Sequence, residues 1–403
     1  MAKAKRKHGS DLRALSNLAT LATTGVTSAV EGMHHAIASG PTLLGKPLAG
    51  PSRLYTGILY GTIRGVTKLV GAGLETAFTQ LEPWLGESAP GPEREAVQAA
   101  LNGVLGDYLR DTSNPLAIQM AFRKGGEPLD ITRQGLAAAF PTPTAATSHK
   151  LVVLIHGSSM NDRQWLRHGH DHGAELAKQG FTPIYLHYNS GLHISENGRE
   201  LAHLLETVVR RWPGEVSEVN LLGHSMGGLV ARSACHIAEC EQLAWRSKLR
   251  RMVTLGTPHH GSPLERGGTW MHTLLGVTDY SSPLAVLARI RSAGVTDLRF
   301  GNFLDEHWQG HDRFKLAKDA RKNLTLPAGV DCHAIAATTA KAERTRLPGD
   351  GMVPVSSALG EHARADLTLP FPEQNKWIAY GTGHVDLLSR REVSERLGEI
   401  FSR

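Results

Sequence analysis

Apolar residues follow two rhythms along this chain. From residue 150 onward, short continuous apolar runs alternate with stretches of helical spacing. The runs lie at 151–156, 182–188, 216–223, 252–256, 333–338 and 376–381. Helical spacing fills 170–179, 195–211, 229–238 and 386–400. An unbroken apolar strand has no face to show to water, so both of its faces must be covered. Such runs joined by helices predict an α/β fold with a mostly parallel sheet covered by helices on both faces.

The pattern before residue 150 differs. A helix is expected over 93–110. Strands over 116–122 and 129–135, joined across Gly125-Gly126, should form a hairpin that opens the sheet. Further upstream, Leu12, Leu15, Leu18, Ala22, Val26, Val30, Met33 and Ile37 recur at helical spacing. A Gly-Pro break at 40–51 is followed by a second helical pattern, from Tyr55 to Phe78. Residues 1–90 therefore read as an N-terminal helical hairpin with a linker, and 91–403 as the main domain. Gly57, Gly61 and Gly65 lie four apart on one face of the second helix, where close packing against another backbone would offset their cost.

One stretch interrupts the later alternation. Residues 258–325 carry Trp270, Leu274, Leu275, Leu284, Val286, Leu287, Ile290, Phe300, Phe303, Leu304 and Trp308. That is too long for an ordinary loop and predicts a helical cap inserted between two strands.

Composition narrows the class. With 403 residues, 41% hydrophobic and 20% charged, the chain can form one large soluble α/β domain plus an added segment. The charge balance, 44 minus 38, is +6, and Lys3, Lys5, Arg6 and Lys7 open the chain. A solvated tail is the expected reading, with attraction to an anionic membrane surface as the sharper one. No nucleic-acid-reading motif follows, so a nucleic-acid partner is not expected. Three cysteines, Cys235, Cys240 and Cys332, do not make a disulfide framework and suit a reducing compartment. No secretory apolar core follows the basic start, and no stretch has the length a spanning helix needs. A cytoplasmic protein is expected, either soluble or resting on a membrane. Residues 10–85 are left with two roles, membrane contact or packing, the latter including self-association.

The chemistry is concentrated in Gly223-His224-Ser225-Met226-Gly227-Gly228. An apolar run precedes it and a helical run follows. Gly-x-Ser-x-Gly in a strand–turn–helix context sets a serine on a sharp elbow at the sheet edge. A serine hydroxyl becomes a nucleophile only beside a base, and the base needs an orienting carboxylate. All three should lie past the carboxyl ends of strands, in the order Ser, acid, His. Asp350, in the loop beyond 333–338, is the acid candidate, with Asp366 in reserve. Asp331 lies at the wrong end of its strand. His384, just after the last strand, is the base candidate. Two backbone N–H groups are needed for the oxyanion: Met226, after the nucleophile, and Ser158, in the loop after the first run. His156 should shape that loop.

Five segments together resemble α/β-hydrolases of the lipase and esterase type. They are Ile155-His156-Gly157, the elbow, Thr254-Leu-Gly-Thr-Pro-His-His-Gly261, Gly349-Asp-Gly-Met-Val-Pro354 and Gly383-His-Val-Asp-Leu-Leu388. The Gly-Thr-Pro-His-x-Gly segment is similar to that of bacterial triacylglycerol lipases and of proteins resembling inositol deacylases. The resemblance covers 150–400. It implies the α/β-hydrolase fold and ester hydrolysis through an acyl-serine intermediate, without a cofactor. The apolar cap points to lipid or acyl esters as substrate. Two alternatives remain at this stage: an acyltransferase with the same triad, or a lipid-surface binding protein whose triad is vestigial. His168, His170, Asp171 and His172 cluster, and the pairs His168 and His172, and His307 and His311, four apart, have metal-like spacing but no evident third ligand. Solvated histidines, and no metal, are expected there.

Overall fold

The computed structural model describes residues 91–141, 148–262, 291–312, 319, 321, 324–343, 345 and 347–403. The expected N-terminal hairpin lies outside the described residues, as does most of the expected cap.

Eight strands form one sheet in the order β2-β1-β4-β3-β5-β6-β7-β8. The strands are β1 (Ala121–Lys124), β2 (Glu127–Pro128), β3 (Ser148–Ile155), β4 (Phe181–His187), β5 (Glu215–His224), β6 (Leu249–Leu255), β7 (Asp331–Thr338) and β8 (Lys376–Tyr380). From β4 through β8 all pairings are parallel, and the pairings of β1 with β4 and with β2 are antiparallel. β3 lies centrally, with Val153 opposite Ile184 on one side and Leu221 on the other.

The unbroken apolar strands are explained by two cores. Leu151, Val153 and Ile155 of β3 face one cluster, whereas Val152 and Leu154 face the other. β6 and β7 divide in the same way: Met252, Ala334 and Ala336 against Val253, Ile335 and Ala337. Helices α1 (Pro92–Asp111), α4 (Ile194–Arg211) and α5 (Met226–Cys240) cover the first face. Helices α3 (His172–Ala177) and α8 (Arg391–Phe401) cover the second. Each fully buried Leu or Val of these strands contributes about 1.5–3 kcal/mol relative to exposure.

Two expected elements differ. The opening hairpin turns at Gly125-Gly126 as expected, but its strands are short. Residues 114–118 are held against α1 instead: the Asn102 amide donates to Leu116 O at 2.8 Å and its Oδ1 accepts from Ile118 N at 2.9 Å. The second expected strand does not form: its last three residues, 133–135, begin helix α2 (Arg133–Ala139), because Thr132 caps it by accepting from Gly135 N at 3.0 Å. The closing helix over 386–400 is likewise split. A short turn at Asp386–Leu388 precedes α8.

The described end of the inserted stretch is packed down, not loose. Short helix α6 (Ala293–Asp297) is buried throughout. Ser292 donates to Gly103 O at 2.6 Å, and Asp297 Oδ2 accepts from Ile194 N at 3.0 Å. α6 thus ties α1 to the start of α4. Trp270, Leu274, Leu275, Leu284, Val286, Leu287 and Ile290 lie outside the described residues. No described helix is long and apolar enough to cross a membrane.

Candidate active site

β5 ends at His224 and α5 begins at Met226, so Ser225 alone makes the turn. Its backbone has φ 54 and ψ −122, a region that L-residues rarely adopt. The surroundings hold it there. Ser225 N donates to Leu255 O of β6 at 2.8 Å. The glycines of the motif are needed because backbone presses on backbone. A Cβ at Gly223 would lie 2.5 Å from Gly228 N, and one at Gly227 would lie 2.2 Å from Ile155 O. Met226 N–H is the first of the helix and has no acceptor within it.

The loop after β3 faces this elbow. A Cβ at Gly157 would meet Ser225 Cβ at 3.1 Å. Tyr188 donates to His156 O at 2.8 Å, and the two rings stack with centroids 4.2 Å apart. Ser159, at φ 58, donates its N–H to Ser190 Oγ at 2.9 Å. Ser158, between them, is buried. The segment is therefore fixed at both of its ends.

Asp350 lies in the loop beyond β7 and His384 beyond β8. His384 Nδ1 is 2.7 Å from Asp350 Oδ2, and both side chains are buried. The other carboxylate oxygen accepts from the N–H groups of Met352 and Val353, at 2.9 and 2.8 Å. His384 N also donates to Asp350 O at 3.0 Å. Nδ1–H donates to the carboxylate, so Nε2 carries the lone pair. His384 is joined to the elbow from the opposite side: its carbonyl accepts from His224 Nε2 at 3.0 Å.

Two other carboxylates weighed in the sequence are elsewhere. Asp366 is exposed and paired with Arg364 at 2.6 Å. Asp331 starts β7 and contacts His333 at 3.0 Å.

Three histidines near the site are held neutral. Burial pushes His156 down to about 3, His172 down to about 4, and His224 well below the free imidazole value. No second cation therefore crowds His384 from these positions near neutral pH. His172 corrects an expectation. It is not solvated: its Nε2 donates to Leu387 O at 2.8 Å and its Nδ1 meets His170 at 2.9 Å. It braces the segment that carries His384. Of the others, His168 and His311 are exposed. Among the described residues no group of three or more His, Cys, Asp or Glu is placed to hold a metal.

Gly256 is a site residue that the sequence did not single out. It follows β6 at φ +56, and a Cβ there would stand 3.2 Å from both Asp350 Oδ2 and His384 Nδ1. The only signal was its place inside the Thr254–Gly261 motif. Tyr188 and His224 were also missed, because their roles depend on contacts distant in sequence.

Parallel strand order, a strained serine after β5, and an Asp–His pair beyond β7 and β8 occur together here. The domain has the α/β-hydrolase fold. A family model described as a PGAP1-like alpha/beta domain matches residues 147–314. Solved structures similar to this chain include a Bacillus licheniformis lipase, BlEst2, in its mature form. It is 16% identical, with a TM-score of 0.43, covering 70% of this chain and 98% of that one. A Pyrococcus furiosus esterase, Pf2001, is 15% identical with a TM-score of 0.36, covering 64% and 82%. Aspergillus fumigatus lipase B is 11% identical with a TM-score of 0.40, covering 84% and 81%.

Proposed function

We propose that this α/β-hydrolase cleaves carboxylic esters, with lipid or acyl esters as the substrate class, through an acyl-serine intermediate. The observation that carries the reading is the conformation of Ser225, φ 54 and ψ −122, on a turn shared by β5 and α5. Strain of this kind costs on the order of 1–3 kcal/mol and persists only where surrounding structure imposes it. It presents a hydroxyl at the carboxyl rim of the sheet, beside the segments that carry His384 and Asp350.

In this reading Ser225 Oγ attacks the ester carbonyl carbon while His384 Nε2 takes its proton. Asp350 holds the imidazole by Nδ1 and stabilises its charged form. The oxyanion is received by the backbone N–H groups of Met226 and Ser158. Collapse expels the alcohol, which leaves with the proton from His384. Water, deprotonated by His384, then attacks the acyl-serine and releases the acid. Burial of Ser225 and His384 supports the reading, since a site screened from water strengthens each of these electrostatic contacts. The abundance of apolar residues in the inserted stretch supports an acyl chain as the bound group.

The test is hydrolysis of p-nitrophenyl esters from two-carbon to long acyl chains by the whole chain and by Ser225→Ala. Turnover should fall by several powers of ten in the variant, with fluorophosphonate labelling lost and folding kept. Undiminished turnover in Ser225→Ala would overturn the assignment of the nucleophile. A chain-length preference would place the enzyme among esterases or lipases.

A further inference from the structure

α5 carries a charged group, Arg232, two helical turns beyond Ser225, roughly 10 Å along the axis. Arg232 is 3% exposed. It lines a small pocket of about 10 Å³, room for one water-sized group, with His259, Phe303, His307, Arg321 and Leu367. Two other arginines, buried Arg251 and half-buried Arg123, have carboxylate partners. Arg251 lies 3.6 Å from Glu218, and Arg123 reaches Glu95 at 3.0 Å. Arg232 has no carboxylate within ion-pair distance among the described residues. A buried, unpaired charge is costly unless something compensates it.

The hydrogen-bonding inventory defines what can compensate it. Arg232 Nη2 donates to Leu324 O at 2.6 Å. Nη1 lies 3.5 Å from His259 Nδ1. Thr254 Oγ1 donates to His333 O, so it accepts from His259 Nε2, and His259 Nδ1 is left as an acceptor. The guanidinium face is covered by the Phe303 ring, 4.2 Å from its centroid. Nε–H has no acceptor among the described residues. Arg321 cannot serve instead. Its Nε and Nη2 are both bonded to Asp319, at 2.9 Å each, and Nη1 donates to the carbonyls of His259 and Gly301. Its charge is matched by Asp319, so the pocket carries one excess positive charge. Burial and Arg321 together lower Arg232 to about 9, which leaves it a cation at neutral pH.

We propose that this pocket binds one small monovalent anion of the halide kind, held in the guanidinium plane at Arg232 Nε–H. A carboxylate or phosphate prefers a bidentate fork of two parallel N–H groups. Here Nε is the guanidinium nitrogen without a partner among the described residues, and a pocket of about 10 Å³ has room for a single-point acceptor rather than a carboxylate or phosphate. The proposed reaction does not use Arg232, so the site is independent of that reading.

The test uses the whole chain. Crystals soaked in bromide should give an anomalous peak beside Arg232 Nε. In solution, the thermal midpoint should rise saturably with chloride when ionic strength is held constant with gluconate, as expected for a ligand that binds the native state alone. Arg232→Lys should weaken the apparent chloride affinity at least tenfold, where tenfold is about 1.4 kcal/mol. If that variant does not fold, the two wild-type measurements still decide. The proposal is overturned by the lack of an anomalous peak, or by a peak without saturable stabilisation, which marks an adventitious ion only. Saturable stabilisation by sulfate and not by chloride would overturn it equally.

Discussion

The carbonyl oxygen of His384 accepts a hydrogen bond from Nε2 of His224, 3.0 Å away, with their ring centroids 4.9 Å apart. The residue before the proposed nucleophile therefore positions the backbone of the proposed base. Replacing His224 with Phe removes the donor and leaves a buried carbonyl without its partner. We expect kcat to fall on the order of 10–100-fold with KM little changed, since small misplacements of reacting groups carry that cost. His224→Gln, which retains a donor, should recover part of the loss. Equal kcat in the Phe variant and the wild type would remove His224 from the positioning apparatus.

Asp350 is bound on both oxygens, by His384 on one and by two backbone N–H groups on the other. Asp350→Asn keeps the shape but loses the charge and disturbs the imidazole tautomer. Ester turnover should fall by about 10³–10⁴-fold, in line with comparable triads. Steady-state kinetics on a short-chain ester checks this.

The backbone at Ser225 predicts that its replacements differ in stability. Glycine tolerates φ 54 with ψ −122, whereas alanine does not. Ser225→Gly should be more stable than Ser225→Ala by about 1 kcal/mol, both being inactive. Paired denaturant titrations measure the difference.

Gly256 lies beside the Asp350–His384 contact at φ +56. In Gly256→Ala the added Cβ would meet Leu387 Cδ1 at 2.8 Å as well as the pair itself. The cost should be about 1–3 kcal/mol in unfolding free energy, from strain and displacement together. Turnover should drop more than that loss of folded population explains. Denaturant unfolding and single-turnover kinetics on the same preparation separate the two.

Stability should fall on acidification through the buried histidines. His172 and His156 have folded values of about 4 and about 3, below the free value of 6.5. The unfolded chain therefore takes up protons first as pH drops below about 6.5. Each such group then lowers the unfolding free energy by up to about 1.4 kcal/mol per pH unit, until its folded value is reached. His172→Gln should flatten the slope between pH 6 and pH 4 by roughly one such contribution. Denaturant titrations across that range provide the measurement. An unchanged slope would show that His172 is not held neutral.

The parallel sheet was legible because β3, β5, β6 and β7 are apolar on both faces, a pattern that only coverage on both sides permits. The elbow was legible because its constraints are local: glycines at 223 and 227 answer to backbone a few residues or one strand away. Asp350 and His384 could be named from their place after strands, and the structure brings their side chains together. The 129–135 segment misled, because a single capping threonine outweighed a short apolar pattern. His172 misled because histidine spacing carries no record of burial.

By itself, the sequence determined the alternation of strands and helices, the serine turn, and which loops carry ionisable groups. Those features rest on periodicity and on contacts close along the chain. Tertiary structure alone decided that His172 and His224 are buried and neutral, that Gly256 must lack a side chain, and that Arg232 is enclosed without a carboxylate among the described residues. Burial and distant neighbours set these properties, and both are created only when the strands assemble.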